Sequence, residues 1–554
     1  MSSRRVKNGE IDPDDILLDA RNLPSFDLNQ FEGQIEKPIS KSSSISLGIF
    51  CIFVILLILT RTGYLQILKG DEFRERSQNN SLHYISEYAP RGNIYDRNGV
   101  RLAWSDNGRK YISLEGLGHI LGYVGYPREN ELLTDKYEPK EMVGIDGVEY
   151  AYNEILEGIK GKKYIETDAL GKILTEAVHI TPEQGKDLNL SIDSRLQNEL
   201  YKSISVIANE RNFTGGAGIL MDINTGEIIA LTSYPEYEPK ELSPGSEPRL
   251  KLSEYFNDKR LPFLNRAVNG LYTPGSVVKP IIALGALEEK IISPTKRLLS
   301  SGELRLPNPY NPGEDSVFKD WKAHGLVDMR NAISVSSDEY FYIVGGGYKT
   351  QSGLGIANIE KYSRMFGLAE KTGISLKNEP EGTIPSPEWK AKHFDGEPWR
   401  IGDTYHTAIG QYGYQITPLQ MVRATAAIAN YGKLLYPQLV HPSSTEPQIE
   451  RSINISSDKF NIVHDGMRLS ATIGTGTGLN ASYVEFAVKT GTAELGVSKA
   501  YVNSWVTGFF PYKKPKYAFV VVMEHGKRTN TIGATAVARR FFDSINQIAP
   551  EYFD

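Results

Sequence analysis

The chain has 554 residues, of which 40% are hydrophobic and 23% charged, and its net charge is -5. That length holds roughly three or four domains, and a near-balanced charge with no concentrated basic face argues against nucleic acid as a partner. Cys51 is the only cysteine, which excludes an internal disulfide framework and a thiolate metal site in the soluble part.

The first 44 residues, rich in Asp, Ser and Asn, read as a disordered cytoplasmic tail. Residues 45 to 60, ISLGIFCIFVILLILT, form an almost unbroken apolar run ended by Arg61, and YLQIL resumes it at 64 to 68. A membrane span needs about 20 mostly apolar residues. The pattern therefore predicts a transmembrane signal anchor over 45–66, provided that the helix passes Arg61 and lets its side chain snorkel. A cleaved leader is the weaker reading, because no small-x-small site comes after the run and the preceding tail is long. Basic residues flank both sides of the run and do not decide its orientation, whereas the size of the region C-terminal to the anchor favours an extracytoplasmic location for that region.

Beyond the anchor, Asn98-Gly99 in EYAPRGNIYDRNGVRLAW predicts a hairpin. Residues 147 to 161, GVEYAYNEILEGIKG, predict a helix that stops at glycines. From about 187 the texture becomes denser. SRLQNELYKSISVIANE predicts a helix, and GAGILMDINTGEIIALTSY predicts two strands around Asn-Thr-Gly. YVEFAVKTGTAE and KYAFVVVMEHGK read as buried strands, with helices such as LQMVRATAAIANYG at 419–432 between. Strands at both ends with helices between them give an α+β domain over 187–554, built on a central, mostly antiparallel sheet flanked by helices.

LYTPGSVVKP at 271–280 contains Ser276 and Lys279. The Ser-x-x-Lys spacing alone has little value, since Ser293/Lys296, Ser316/Lys319 and Ser456/Lys459 share it, and an isolated tetrad is usually a helix cap followed by a solvated lysine. Context separates them. Thr-Pro-Gly turns the chain and VVKPIIALGALEE continues with helical spacing, so Ser276 falls at or near the first helical residue, where amides lack partners and the helix dipole is positive. Lys279 lies one turn on, on the same face. Two further motifs stand out: Ser336-Ser337-Asp338 ahead of aromatics, and Lys489-Thr490-Gly491-Thr492 ending an apolar strand. A second Lys-Thr-Gly at 371–373 has no strand before it.

Ser-x-x-Lys, Ser-x-Asp and Lys-Thr-Gly in this order resemble the motif set of penicillin-binding proteins and serine β-lactamases. LNRAVNGLYTPGSVVKP, TAIGQ with TPLQM, and WVTGFFPYKKPKYAFVVV resemble the transpeptidase domain of class B penicillin-binding proteins. PRGNIYDRNG, with Arg91, Gly92, Asp96, Arg97 and Gly99, is similar to that class's membrane-proximal pedestal. Ser336-x-Asp338 and KDWKAHG look more like penicillin-binding protein 2, the elongation enzyme, than the division enzyme. The resemblance implies a tail over 1–44, an anchor over 45–66, a pedestal or dimerisation-type domain over 67–186 and a penicillin-binding domain over 187–554. It also implies a bacterial inner-membrane protein with its catalytic domain outside.

The function implied is peptidoglycan cross-linking. Ser276 would attack the D-Ala-D-Ala carbonyl of a stem peptide, with Lys279 as base and the amides of Ser276 and Thr492 as oxyanion hole. Ser336 would relay a proton to the leaving D-alanine, with Asp338 orienting it. Lys489, Thr490, Gly491 and Thr492 would form the carboxylate-binding wall, and the charge of Lys489 would lower the pKa of Lys279. β-Lactams would acylate Ser276, no cofactor is required, and a polytopic membrane glycosyltransferase is the expected partner.

Departures from the family pattern also carry expectations. Asp320 and His324 match part of a zinc site found in some relatives, but the missing cysteine favours loop polar groups and no metal. Tyr412 stands where the family's Ile-Gly-Gln-Gly has glycine, so a bulky side chain is expected to narrow the cleft, and the pedestal head looks shortened. A D,D-carboxypeptidase, a β-lactamase and a non-catalytic scaffold regulating a glycosyltransferase remain alternatives.

Overall fold

The computed structural model describes residues 41–74, 82–133, 136–167, 173–308, 311–441 and 447–554. The expected tail lies, over residues 1–40, outside the described residues. The chain divides into two compact units, one from Met1–Ile85 with Lys162–His179 and one from Ser86–Gly161 with Ile180–Asp554.

In the first unit, helix α1 (Lys41–Gly63) runs past Arg61 and continues into a π-helical turn over Tyr64–Leu68. The continuous apolar helix of Ser42–Leu68 has 27 residues, enough by length and composition to cross a membrane. A three-stranded sheet joins Leu82–Glu87, Gly161–Thr167 and Ile173–Ile180 in that order.

In the second unit, the Asn98-Gly99 hairpin forms as expected between β1 (Ile94–Tyr95) and β2 (Arg101–Ser105), with Gly99 at φ 79°. Strand β3 (Arg109–Tyr111) extends it. The helix expected over 147–161 is instead two short helices, α2 (Gly147–Ala151) and α3 (Asn153–Leu156). Tyr152 breaks the run at φ -117° and ψ 28°, and the Asn153 side chain is drawn off to the amide of Gly144 and the guanidinium of Arg91. Such tertiary hydrogen bonds override a helical spacing that carries only a weak intrinsic preference. Gly158, at φ 73°, then turns the chain.

The Arg-Gly-x-x-x-Asp-Arg-x-Gly segment ties this region to the start of the large α+β domain. Strand β1 pairs in parallel with β4 (Leu188–Asn189). Asp96 accepts from the amides of Asn98 and Val100 and from the hydroxyl of Ser194, the first residue of α4 (Ser194–Arg211). Arg97 reaches Glu227, and a Cβ on Gly92 would sit 2.0 Å from the Lys186 carbonyl oxygen, so only glycine fits there.

The main sheet has five strands, all antiparallel. These are β5 (Gly215–Asp222), β6 (Ile228–Tyr234), β7 (Ala487–Leu495), β8 (Tyr501–Phe510) and β9 (Tyr517–Lys527), in spatial order β6-β5-β9-β8-β7. Strands β5, β6 and β9 read as nearly continuous apolar runs because both faces are covered. Ile219 and Met221 join one core cluster, while their neighbour Leu220 joins the other. Helices α4 and Ala534–Ile548 pack on one face, and the fully buried Pro418–Ala429 packs on the other. The latter helix starts with a capping box, since Thr417 Oγ accepts from the Gln420 amide and the Gln420 side chain accepts from the Thr417 amide. The Thr-Pro-Leu-Gln sequence encodes this start directly. Strand β7 is the sheet edge, and it carries the Lys-Thr-Gly-Thr motif.

Glu236, in the loop after β6, accepts hydrogen bonds from the amides of Gly116 (2.5 Å) and Gly118 (2.8 Å). Burial pushes its carboxyl up to about 8, with Glu238 and Glu115 adding to the rise and the two amides opposing it. A carboxyl whose folded pKa is raised favours folding most at low pH and loses that contribution as pH climbs from about 4.5 through 8. Urea unfolding of the full chain is expected to show stability falling across that window. Glu236→Gln is expected to flatten the fall, and an unchanged slope would count against the assignment.

Candidate active site

Three segments converge on Ser276. The turn Thr273-Pro274-Gly275 leads into a 3-10 turn over Gly275–Val278 and then α5 (Lys279–Glu288), with Pro280 in its first turn. Gly275 sits at φ 58°, and its amide donates to the Gly410 carbonyl at 2.9 Å. A Cβ on Gly275 would lie 2.8 Å from the Thr492 carbonyl oxygen, one on Gly410 2.2 Å from the Gly275 carbonyl oxygen, and one on Gly491 2.9 Å from the Pro274 carbonyl oxygen. These glycines let the serine turn, the loop around Gly410 and edge strand β7 touch backbone to backbone. Ser276 is half-buried and Lys279 fully buried.

Ser336 ends α6 (Met329–Val335) in a left-handed conformation, φ 59°, and α7 (Asp338–Gly346) starts two residues later with Ser337 as its cap. This tight joint places Ser336 between two lysines. Lys489 Nζ donates to Ser336 Oγ at 2.7 Å and to the Thr490 carbonyl at 2.8 Å. Lys279 Nζ donates to Asp338 Oδ1 at 2.5 Å, to the Ser336 carbonyl at 2.9 Å and to Ser336 Oγ at 3.4 Å. Among the described residues no hydrogen bond joins Lys279 to the Ser276 hydroxyl, since a carboxylate outbids a neutral hydroxyl for an ammonium group.

Both lysines are fully buried, and two like charges sharing one hydroxyl repel. Lys489 is held well below the ordinary lysine value by burial first and then by the charge of Lys279, with Asp338 opposing. Next to it, Thr490 Oγ lies 2.6 Å from Thr475 Oγ. Thr475 is anchored by its amide on the Ser334 carbonyl at 3.1 Å. Sequence reasoning missed Thr475, although Gly474-Thr475-Gly476 marks a loop.

The loop after α8 (Ile401–Ala408) closes the site. The Gln411 amide donates to the His406 carbonyl, and its side chain donates to the Thr492 carbonyl at 3.3 Å. Tyr412 adopts φ 63°. Its ring is parallel to Phe394 at 6.0 Å and lies edge-on to Trp389 at 5.7 Å and Trp399 at 5.9 Å. That aromatic cluster, rather than the serine turn, engages the side chain expected to narrow the cleft.

Asp320 and His324 are placed near the second motif, as loop polar groups. Asp320 accepts from the hydroxyls of Ser337 and Ser300 and from the amides of Glu339 and Trp321. His324 Nε2 stays 3.6 Å away from it. Among the described residues no group of three or more His, Cys, Asp or Glu could hold a metal ion.

The competing tetrads are engaged elsewhere: Lys296 binds Gln351 and Lys459 binds Glu288, while Ser316 and Lys319 lie on one short strand. Lys371-Thr372-Gly373 lies in a loop whose amides are held by Glu379.

Residues 216–546 match the family model described as penicillin binding protein transpeptidase domain, and 104–190 match the penicillin-binding protein dimerisation domain. The peptidoglycan D,D-transpeptidase MrdA of Acinetobacter baumannii is 32% identical over 471 residues, covering 80% of this chain and 67% of that protein. MrdA of Salmonella typhimurium strain LT2 is 30% identical, covering 82% and 75%. Among solved structures, the complex between penicillin-binding protein (PBP2) and MreC from Helicobacter pylori matches with a TM-score of 0.71 at 28% identity, over 85% of this chain and 100% of that one.

With this geometry in place, the comparisons give the class: the chain belongs to the penicillin-binding protein transpeptidase family. Within it, the dimerisation-domain match, the MrdA relatives and the PBP2 neighbour make it a class B penicillin-binding protein of the elongation type.

Proposed function

We propose that this chain is a peptidoglycan D,D-transpeptidase that joins stem peptides through an acyl-enzyme on Ser276 and serves wall elongation and cell shape. The observation that carries the reading is the Lys279–Ser336–Lys489 bridge beside the serine turn. With Lys279 as the neutral amine, Ser276 Oγ bonds to the carbonyl carbon of the penultimate D-alanine while its proton passes to Lys279 Nζ, which hands it on to Ser336 Oγ. The amides of Ser276 and Thr492 hold the oxyanion, a term worth about 3–4 kcal/mol. The C–N bond then breaks and Ser336 delivers a proton to the departing D-alanine, with Asp338 fixing Lys279. An amine from a second stem attacks the ester, forms the cross-link and returns the proton to Ser276.

The low pKa of Lys489 fits a site that waits for an anion, because the terminal carboxylate of the substrate, held with Thr490 and Thr492, favours the charged lysine again. Lys489→Ala is expected to slow penicillin acylation by about 10²- to 10³-fold, read as the rate of fluorescent-penicillin labelling. A loss below fivefold would remove Lys489 from the carboxylate site.

The four-part division at 44, 66 and 186, the bacterial inner membrane as location, and a polytopic glycosyltransferase as partner belong to the same reading. It is supported by the long apolar helix and by the family. The direct test is intact-mass spectrometry of the purified chain after exposure to a penicillin. One slowly released adduct mapping to Ser276 supports a transpeptidase, rapid hydrolysis supports a β-lactamase or carboxypeptidase, and no adduct on folded protein supports a scaffold.

A further inference from the structure

Along edge strand β7 the side chains alternate, and Thr490, Thr492 and Glu494 share the less buried face. The direction of a bound stem peptide along this edge comes from its chemistry. Its terminal carboxylate belongs at Lys489 and Thr490, and its reacting carbonyl at Ser276 and Thr492. The rest of the peptide therefore continues past Thr492 towards Leu495. At about 3.3 Å per residue, Glu494 lies about 6.6 Å beyond Thr492 on the same face. That is where the side chain of the third stem residue, next to the penultimate D-alanine, arrives.

Glu494 is shared by two cations at this point. Lys499 Nζ lies 2.7 Å and Arg528 Nη2 3.0 Å from its two oxygens. The loop and strand end that carry them are tied together by the Arg528 amide donating to the Ala500 carbonyl at 2.9 Å. The cations are 59% exposed and Glu494 28%, so all three remain open to a ligand. The charge of Glu494 reaches Tyr342 on α7, and that of Lys499 reaches His406 on α8. An exposed ion pair in a hairpin adds little stability by itself. Two cations against one carboxylate leave a net positive charge beside a carboxylate, a pattern complementary to an amine and a carboxylate on one carbon.

We propose that Glu494, Lys499 and Arg528 form the subsite for the third residue of the donor stem peptide, and that they select a diamino-dicarboxylic side chain over a simple lysine. The amine of that side chain pairs with Glu494, and its carboxylate pairs with Arg528 and Lys499. As the peptide enters, its own N–H takes the Thr492 carbonyl from Gln411, so the edge strand gains a neighbour as a sheet would. This inference rests on the transpeptidase reading.

The test uses the full chain in detergent and three synthetic stem-peptide thioesters, identical except for meso-diaminopimelate, its side-chain amide or lysine at the third position. Acyl-enzyme formation on Ser276 is followed by intact mass. The wild type is expected to react about tenfold faster with the diaminopimelate thioester than with the other two. In Arg528→Gln and in Lys499→Ala that ratio is expected to shrink to about two. Comparing ratios within each variant separates recognition from any general loss of folding. Equal rates in the wild type, a ratio that survives in both variants, or no thioester reaction in an enzyme that penicillin still labels would each overturn the subsite. Failure of penicillin to label Ser276 would instead sink the reading beneath it.

Discussion

Ser276→Ala is expected to yield no covalent penicillin adduct and to lose cross-linking by about 10⁴-fold or more, the scale seen when a nucleophile that works as part of a unit is removed. The substitution deletes one oxygen from a half-buried turn whose shape is set by Gly275, Gly410 and Gly491, so the fold is expected to survive. Lys279 keeps Asp338 and Lys489 keeps Ser336 without it. An unchanged unfolding midpoint beside lost labelling is therefore the expected pair of results. Residual labelling at the wild-type rate would move the nucleophile elsewhere, with Ser336 the first place to look. Stimulation of a glycosyltransferase partner, if retained by the same variant, would show that the pedestal works independently of the chemistry.

Glu149→Ala is expected to destabilise the chain by about 3–5 kcal/mol, the usual consequence of leaving a buried charge without its partner. Glu149 is fully buried between two arginines. One oxygen accepts from Arg91 Nε (3.1 Å) and Nη2 (2.9 Å), and the other from Arg109 Nε at 2.5 Å. The guanidiniums bind little else that is charged. Arg91 also donates to Asn153 and to the Met142 carbonyl, and Arg109 to the Gly92 carbonyl. Removing Glu149 strands two buried cations in one small region. Urea unfolding is the measurement, and a loss below about 1 kcal/mol would mean that water enters and solvates the pair. The effect is expected on stability and on whatever docks on residues 86–161, with little change in penicillin acylation of the folded fraction.

Arg91 was legible in the sequence as part of the Arg-Gly-x-x-x-Asp-Arg-x-Gly segment, but its partner Glu149 and the second arginine were not. Glu149 and Arg109 are 40 residues apart, and nothing local marks either. Glu149 instead read as one more position in a helical run, which is also why the break at Tyr152 went unseen.

Local features were the ones that the sequence determined. Helical spacing marked α4, and apolar runs marked α1 and the strands β5 to β9 except β8. Asn-Gly marked a hairpin and Thr-Pro-Gly the serine turn. Each of these rests on interactions within a few residues, so composition and spacing suffice. The chemistry was legible only as three separate motifs that resemble a family.

Tertiary structure alone decided which groups meet. Asp338, 59 residues from Lys279, captures that lysine, and Ser336 joins Lys489 across 153 residues. It also turned the Tyr412 ring into an aromatic cluster, and it set Glu494 between Lys499 and Arg528 at the end of the open strand edge. The reason is physical. A buried charge takes whichever partner packing brings within about 3 Å, and in a low-dielectric interior that choice outweighs any local preference.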